Sequence, residues 1–182
     1  MFRNTEKSYG VIAILAHWIS AIAVIGLFAA GIWMVELTYY SSWYKTAPDL
    51  HKSVGILLFV LTISRLAWKF TNPKPAPLSE HKSWEVTAGH LAHSAIYLLL
   101  ILIMCSGYLI STADGRGISV FNLFEVPGVG DLFDNQADIA GLFHQFAAYS
   151  LIGLLVIHIL GALKHHFFDK DSTLVRMITV FK

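Results

Sequence analysis

One long apolar segment of the sequence contains two histidines. The segment "GLFHQFAAYSLIGLLVIHILGALKHH", residues 141–166, holds His144 and His158 within a run that is otherwise almost wholly hydrophobic. Fourteen residues turn an α-helix by about 1400°, about 40° short of four turns, so both side chains lie on one face, about 21 Å apart along the axis. Each imidazole needs a partner, because an unpaired polar group in hydrocarbon costs several kcal/mol.

Two further histidines lie at matching depths in other apolar runs. His17 is six residues into the first run and His158 is six residues before Lys164, so both are about 9 Å from a helix end. His51 opens the second run, and His144 is three residues into the fourth. Two imidazoles can ligate a haem iron axially, and facing helices of a bundle commonly hold such groups. We therefore predict two haem sites, His17 with His158 and His51 with His144.

The elements that carry these histidines are four long hydrophobic runs. The 182-residue chain is 55% hydrophobic and only 14% charged, whereas soluble domains are about a quarter charged. A helix of about 20 apolar residues crosses a bilayer. The predicted spans cover about residues 10–37, 50–70, 88–110 and 141–166. The predicted fold is all-α, an integral membrane four-helix bundle, and residues 1–182 are expected to form a single transmembrane domain with two haems.

Basic residues are distributed unequally between the two ends of this bundle. One end has Lys45, Lys52 and Arg116 beside seven acidic residues. The other end has nine basic residues: Arg3, Lys7, Lys69, Lys74, Lys82, Lys164, Lys170, Arg176 and Lys182. Because Lys and Arg are enriched in cytoplasmic loops, both termini are predicted to be cytoplasmic.

The polar segments yield three local predictions. Within residues 111–140, "FNLFEVPGVGDLF" predicts a short interfacial helix that is ended by Pro127 and Gly128. The last sixteen residues, "FFDKDSTLVRMITVFK", predict a short amphipathic end. His81, His165 and His166 lie in the polar boundary, where we expect them to be solvated or to contact lipid phosphate.

Other polar residues are candidate neighbours of the cofactors. His90 and His93 lie three residues apart at the start of the third run, which suits contacts to a haem propionate or a quinone headgroup, with iron ligation by His93 as the alternative. Arg65 is fourteen residues after His51 and therefore faces the same way at the opposite end. Its guanidinium is predicted either to bind a propionate or to extend towards lipid headgroups.

Four segments, one in or near each helix, resemble the bacterial cytochrome b561 family: "AHWISA", "LHKSVGI", "GHLAHSAIYLLL" and "LKHHFFDKDSTLVRM". The stretch "SGYLISTADGRGISVFNLFEVP" is most similar to a subgroup distinct from the superoxide-oxidising member. The resemblance implies a four-helix bacterial inner-membrane protein with two b-type haems. It assigns His17 and His158 to the cytoplasmic haem, His51 and His144 to the periplasmic haem, and ubiquinone or another membrane quinone as the electron partner.

Three functions are consistent with these features. The first is a transmembrane electron conduit between a periplasmic reactant and membrane quinone, with superoxide oxidation disfavoured by the acidic outer loops. The second is a haem-containing anchor that passes electrons from a periplasmic redox partner to quinone. The third is a haem-free transporter or scaffold in which the histidines carry protons. No acid–base pair, nucleophile or phosphate loop is apparent, which argues against a hydrolase or a transferase.

Overall fold

Four long helices dominate the computed structural model, which describes residues 1–79 and 81–179. They are α1 (Val11–Val35), α2 (Thr46–Thr71), α3 (Ser83–Thr112) and α4 (Gln136–Phe167). Each is long and apolar enough to cross a membrane. The predicted all-α membrane bundle is therefore confirmed. Helices α2, α3 and α4 begin four or five residues before the predicted spans, because helix continues into the polar boundary beyond the apolar run.

The described residues near both ends of the chain lie at the same end of the bundle, which we call the termini end. The Arg3 guanidinium donates to the Thr71 carbonyl at the end of α2 (3.3 Å). The Trp18 indole in α1 donates to the Met177 carbonyl of the C-terminal tail (2.7 Å). That tail contains a short 3-10 helix, η1 (Val175–Met177). The helices therefore run alternately up and down, and the connections α1–α2 and α3–α4 share the opposite end.

A single apolar layer holds the middle of the bundle together. It consists of one buried residue from each helix: Val24, Leu58, Leu100 and Leu151. Leu151 lies seven residues from both His144 and His158, so this layer is about 10 Å along the axis from each histidine. Many large side chains on the outer faces are exposed, including Ile22 at 71%. Their exposure agrees with a surface that faces lipid rather than water.

The α3–α4 connection contains a β-hairpin, not the predicted interfacial helix. Strands β1 (Ile118–Val120) and β2 (Phe124–Val126) pair antiparallel, with Ser119 opposite Glu125. Phe121 and Asn122 adopt positive φ angles of 49° and 57°, as the central residues of a type I′ turn do. The hairpin docks on α2, where the Ser53 hydroxyl accepts a hydrogen bond from the Phe121 N–H (3.1 Å). We call this end of the bundle the hairpin end.

Candidate functional site: two histidine pairs

Helices α2 and α4 bring His51 and His144 together at the hairpin end. Their ring centres are 6.4 Å apart and the rings are inclined at 63°. His144 Nδ1 lies 2.9 Å from the Ile103 carbonyl oxygen and 3.2 Å from the Ser106 hydroxyl, both on α3. A carbonyl oxygen only accepts, so Nδ1 carries the proton and Nε2 keeps a free lone pair. Such a contact is typical of metal-binding histidines, whose second nitrogen is fixed by a carbonyl or a carboxylate.

Two glycines leave space for these rings. A Cβ atom on Gly107 in α3 would lie 3.1 Å from Cε1 of His144. A Cβ atom on Gly31 in α1 would lie 3.5 Å from Cε1 of His51. The contact at Gly107 is tighter than ordinary packing allows, so a larger residue there would push the imidazole away. Gly107 therefore leaves room for the His144 ring.

Helices α1 and α4 bring His17 and His158 together at the termini end. Their ring centres are also 6.4 Å apart, with the rings inclined at 55°. His93 of α3 approaches the same site, its ring centre 5.1 Å from that of His158. His17 and His158 are half-buried, whereas His93 is exposed. The predicted pair is thus adjacent, and a third imidazole stands beside it.

The equal spacing of the two pairs fits axial ligation of a haem iron. An iron bound to two imidazole nitrogens at about 2 Å, with each ring centre about 1 Å behind its nitrogen, separates the ring centres by about 6 Å. The 5.1 Å between His93 and His158 is too short for ligands on opposite sides of one iron. His51 Nδ1 is buried without a hydrogen-bond partner among the described residues. The four half-buried imidazoles therefore have a spacing that suits ligands of haem iron.

An apolar cavity of about 250 Å³ adjoins His51 between α1 and α2. Four small residues line it, Ala23, Gly26, Ala30 and Ala47. The indoles of Trp33 and Trp43 also line this cavity. Apolar surroundings and small residues beside a ligand are what a flat, hydrophobic cofactor requires, and they influence its reduction potential.

Comparison with known proteins identifies the family. The model for prokaryotic cytochrome b561 matches residues 8–180. The chain belongs to this family. It is 51% identical over 177 residues to cytochrome b561 homolog 2 of Escherichia coli (strain K12), covering 97% of this chain and 94% of the relative. It is 29% identical over 178 residues to the probable superoxide oxidase CybB of Yersinia pestis, covering 95% and 97%. The cytochrome b561 homolog 1 of E. coli K12 is 28% identical over 169 residues, covering 91% and 93%.

Membership of this family makes the protein a membrane cytochrome that transfers electrons and binds b-type haem. The resemblance recognised from the sequence motifs is therefore confirmed. The predicted roles of individual histidines remain predictions, which the geometry above supports.

The second set of candidate residues lies near the termini-end pair of this cytochrome. The Arg65 guanidinium stacks over the Tyr97 ring of α3 at 5.6 Å, and the Lys69 amine lies 5.4 Å from the same ring. This cation–π contact was not predicted from the sequence. It holds Arg65 inside the α2–α3 interface, so the guanidinium does not depend on lipid headgroups for a partner. His90, three residues before His93, is exposed.

The basic residues at the hairpin end are largely paired with acids. Lys52 lies 2.8 Å from Asp49, and the Arg116 guanidinium pairs with Asp114. The hydrogen bond from Arg116 holds the pKa of the Asp114 carboxyl below its ordinary value. Because Lys52 and Arg116 are both paired, the other acidic residues at the hairpin end give it a negative surface. Such a surface disfavours the approach of an anion.

The contacts of Ile103 and Ser106 with His144 were not predicted from the sequence. The Ile103 carbonyl leaves no trace in the side-chain pattern, because any residue at that position supplies the same oxygen. Ser106 and Gly107 do leave a signal, a polar residue and a glycine side by side in an apolar helix. Such small residues are common at ordinary helix contacts in membranes, so this signal alone does not identify a ligand site.

Proposed function

We propose that this cytochrome b561 is a single-domain conduit with two b-type haems, which passes electrons between a reactant at the hairpin end and a membrane quinone. His17 and His158 would hold the iron at the termini end, and His51 and His144 the iron at the hairpin end. The observation that carries this proposal is the shared spacing of 6.4 Å between the ring centres of both pairs. When bound, each haem supplies one-electron redox chemistry.

The polypeptide positions and insulates these two sites. Ile103 and Ser106 hold the His144 ring through Nδ1, and Gly107 leaves room for it. The apolar layer of Val24, Leu58, Leu100 and Leu151 separates the two histidine levels and keeps water out of the path between them. The levels lie about 21 Å apart along α4, and the edges of two macrocycles would be considerably closer.

The proposed orientation places the termini end in the cytoplasm and the hairpin end in the periplasm, across the bacterial inner membrane. The unequal distribution of lysine and arginine supports it, because basic residues are retained on the cytoplasmic side. Lys164, at the termini end, is half-exposed at 45% of its side-chain surface although it pairs with Glu85.

A second function is favoured by the acidic surface of the hairpin end. Because Asp49 and Asp114 already neutralise Lys52 and Arg116, the other acids there would attract a partner with a basic surface. The cytochrome would then anchor a periplasmic redox protein and pass its electrons to quinone. Superoxide, as an anion, is a poorer reactant for this surface. Copurification of a soluble subunit would favour the anchor, and quinone reduction by the isolated chain would favour the independent conduit.

The haem-to-protein ratio tests the proposal directly. We expect about two b-type haems per chain, with two potentials in a redox titration and rapid oxidation or reduction by a quinone analogue in stopped-flow mixing. A colourless chain, or one haem per chain after full loading, would contradict the proposal. Stopped-flow mixing with superoxide tests whether superoxide, rather than a redox protein, is the reactant at the hairpin end.

Arg65 is expected to raise the potential of the haem at the termini end. A positive charge stabilises the reduced state, so Arg65→Leu should lower one of the two potentials by about 1 kcal/mol, or about 40 mV for one electron. Arg65→Lys keeps the charge and serves as the control, with a potential close to that of the wild type. An unchanged potential in Arg65→Leu would show that the guanidinium has no electrostatic role at the haem.

A further inference from the structure

Three residues from separate segments meet at the termini end, away from both histidine pairs. They are His81, which precedes α3, His165 in the last turn of α4, and Asp171 in the C-terminal tail. His81 Nε2 lies 2.8 Å from Asp171 Oδ2, and His165 Nδ1 lies 3.2 Å from the same oxygen. The expectation that His81 and His165 are solvated or contact lipid phosphate is therefore wrong, because the tail folds back and covers them.

The carboxylate in this cluster is buried and oriented. The Asp171 side chain is 1% exposed, and the rings of His81 and His165 are 15% and 16% exposed. Asp171 Oδ1 accepts the Thr173 N–H at 2.7 Å, which leaves Oδ2 facing the two rings. A buried charge requires a partner of opposite charge. An imidazole supplies one only while it is protonated, whereas a bound cation would supply one without that proton.

The Lys164 ammonium at this end of α4 is paired with other carboxylates. Lys164 pairs with Glu85 at 2.6 Å and with Asp169 at 2.7 Å, so its ammonium neutralises the flanking carboxylates and not Asp171. Asp169 Oδ2 also lies 2.8 Å from His165 Nδ1. Asp169 is therefore close enough to serve as a fourth ligand after a small shift.

We propose that His81, His165 and Asp171 bind a divalent transition-metal ion of the zinc type. Two imidazole nitrogens and one carboxylate oxygen suit zinc, whereas calcium and magnesium prefer oxygen ligands alone. The three ligand atoms lie within 4.8 Å of one another. A tetrahedral zinc with bonds of about 2.0–2.1 Å separates its ligands by about 3.4 Å. The contacts of 2.8 Å and 3.2 Å to Asp171 would open by about 0.6 Å and about 0.2 Å to admit the ion.

Such an ion would link three segments that belong to different parts of the fold. It would fix the segment before α3, the end of α4 and the tail against one another at the termini end. The ion is expected to stabilise the docked tail, since a ligand that binds only the folded form stabilises it.

Zinc binding to the full-length, haem-loaded protein tests this site. After removal of any affinity tag, the chain is dialysed against micromolar Zn²⁺ and its zinc and iron are measured by mass spectrometry. We expect one zinc per chain in addition to haem iron. Asp171→Asn and His81→Ala should each weaken zinc binding at least about tenfold, with the haem spectrum unchanged. His166→Ala removes the neighbouring histidine of the same helix turn and should bind zinc as the wild type does.

A measurement on the wild type makes the test independent of variants that fold poorly. Zinc should protect His81 and His165, but not the exposed His90, from modification by diethyl pyrocarbonate. Absence of bound zinc at these concentrations would overturn the proposal, as would equal binding by Asp171→Asn or equal modification of His81 with and without zinc. In each of those cases the cluster is an ion-pair contact that holds the tail.

Discussion

Replacing His158 with alanine is expected to reduce the haem content from about two per chain to about one, because the two proposed pairs share no ligand. The remaining haem should have the potential of the hairpin-end site, since His144 of α4, which pairs with His51 of α2, lies about 21 Å from His158 along α4. His17→Ala should have the same effect. The measurements are the pyridine haemochrome ratio and a redox titration, in which one of two waves disappears.

His93→Ala is the matched control, because this ring is 5.1 Å from His158 on the neighbouring helix. We expect both haems to remain in this variant, with a shift of one potential. If His93→Ala removes a haem while His17→Ala retains both, His93 is the ligand at the termini end and our assignment is wrong. If His158→Ala removes both haems, the sites are not independent.

The second large effect is expected at the hairpin end, where His144→Ala should remove the other haem. Gly107→Val tests the geometry of this site without removing a ligand. The new side chain would meet the His144 ring, since even its Cβ would lie 3.1 Å from Cε1. The displaced ring should bind iron weakly, so we expect lower occupancy of the hairpin-end haem and an unchanged termini-end haem.

Gly153→Val is the control for this variant, because a Cβ on Gly153 would have no neighbour within 4 Å. It should keep two haems and both potentials. Equal haem content in Gly107→Val and the wild type would show that the His144 ring does not need its observed position. Loss of haem in Gly153→Val as well would point to a general effect of valine on helix packing.

Hydrophobicity and spacing along the chain were enough to predict the membrane helices and the pairing of histidines by depth. Both are local properties: the length of an apolar run decides whether it spans a bilayer, and the helical repeat decides which face a residue occupies. The fourteen-residue spacing places His144 and His158 on one face of α4, whatever the other helices do. The family resemblance followed from motifs distributed along the whole chain.

The tertiary structure alone decided which partner each polar group meets. The stretch "FNLFEVPGVGDLF" predicts a short interfacial helix, but Phe121 and Asn122 form a turn with positive φ angles. The Phe121 N–H donates to the Ser53 hydroxyl, 68 residues away. Likewise, His81 and Asp171 are 90 residues apart and share a hydrogen bond of 2.8 Å. Contacts of this kind depend on how loops fold back over the helix ends. The periodicity of the sequence does not predict the path of a loop.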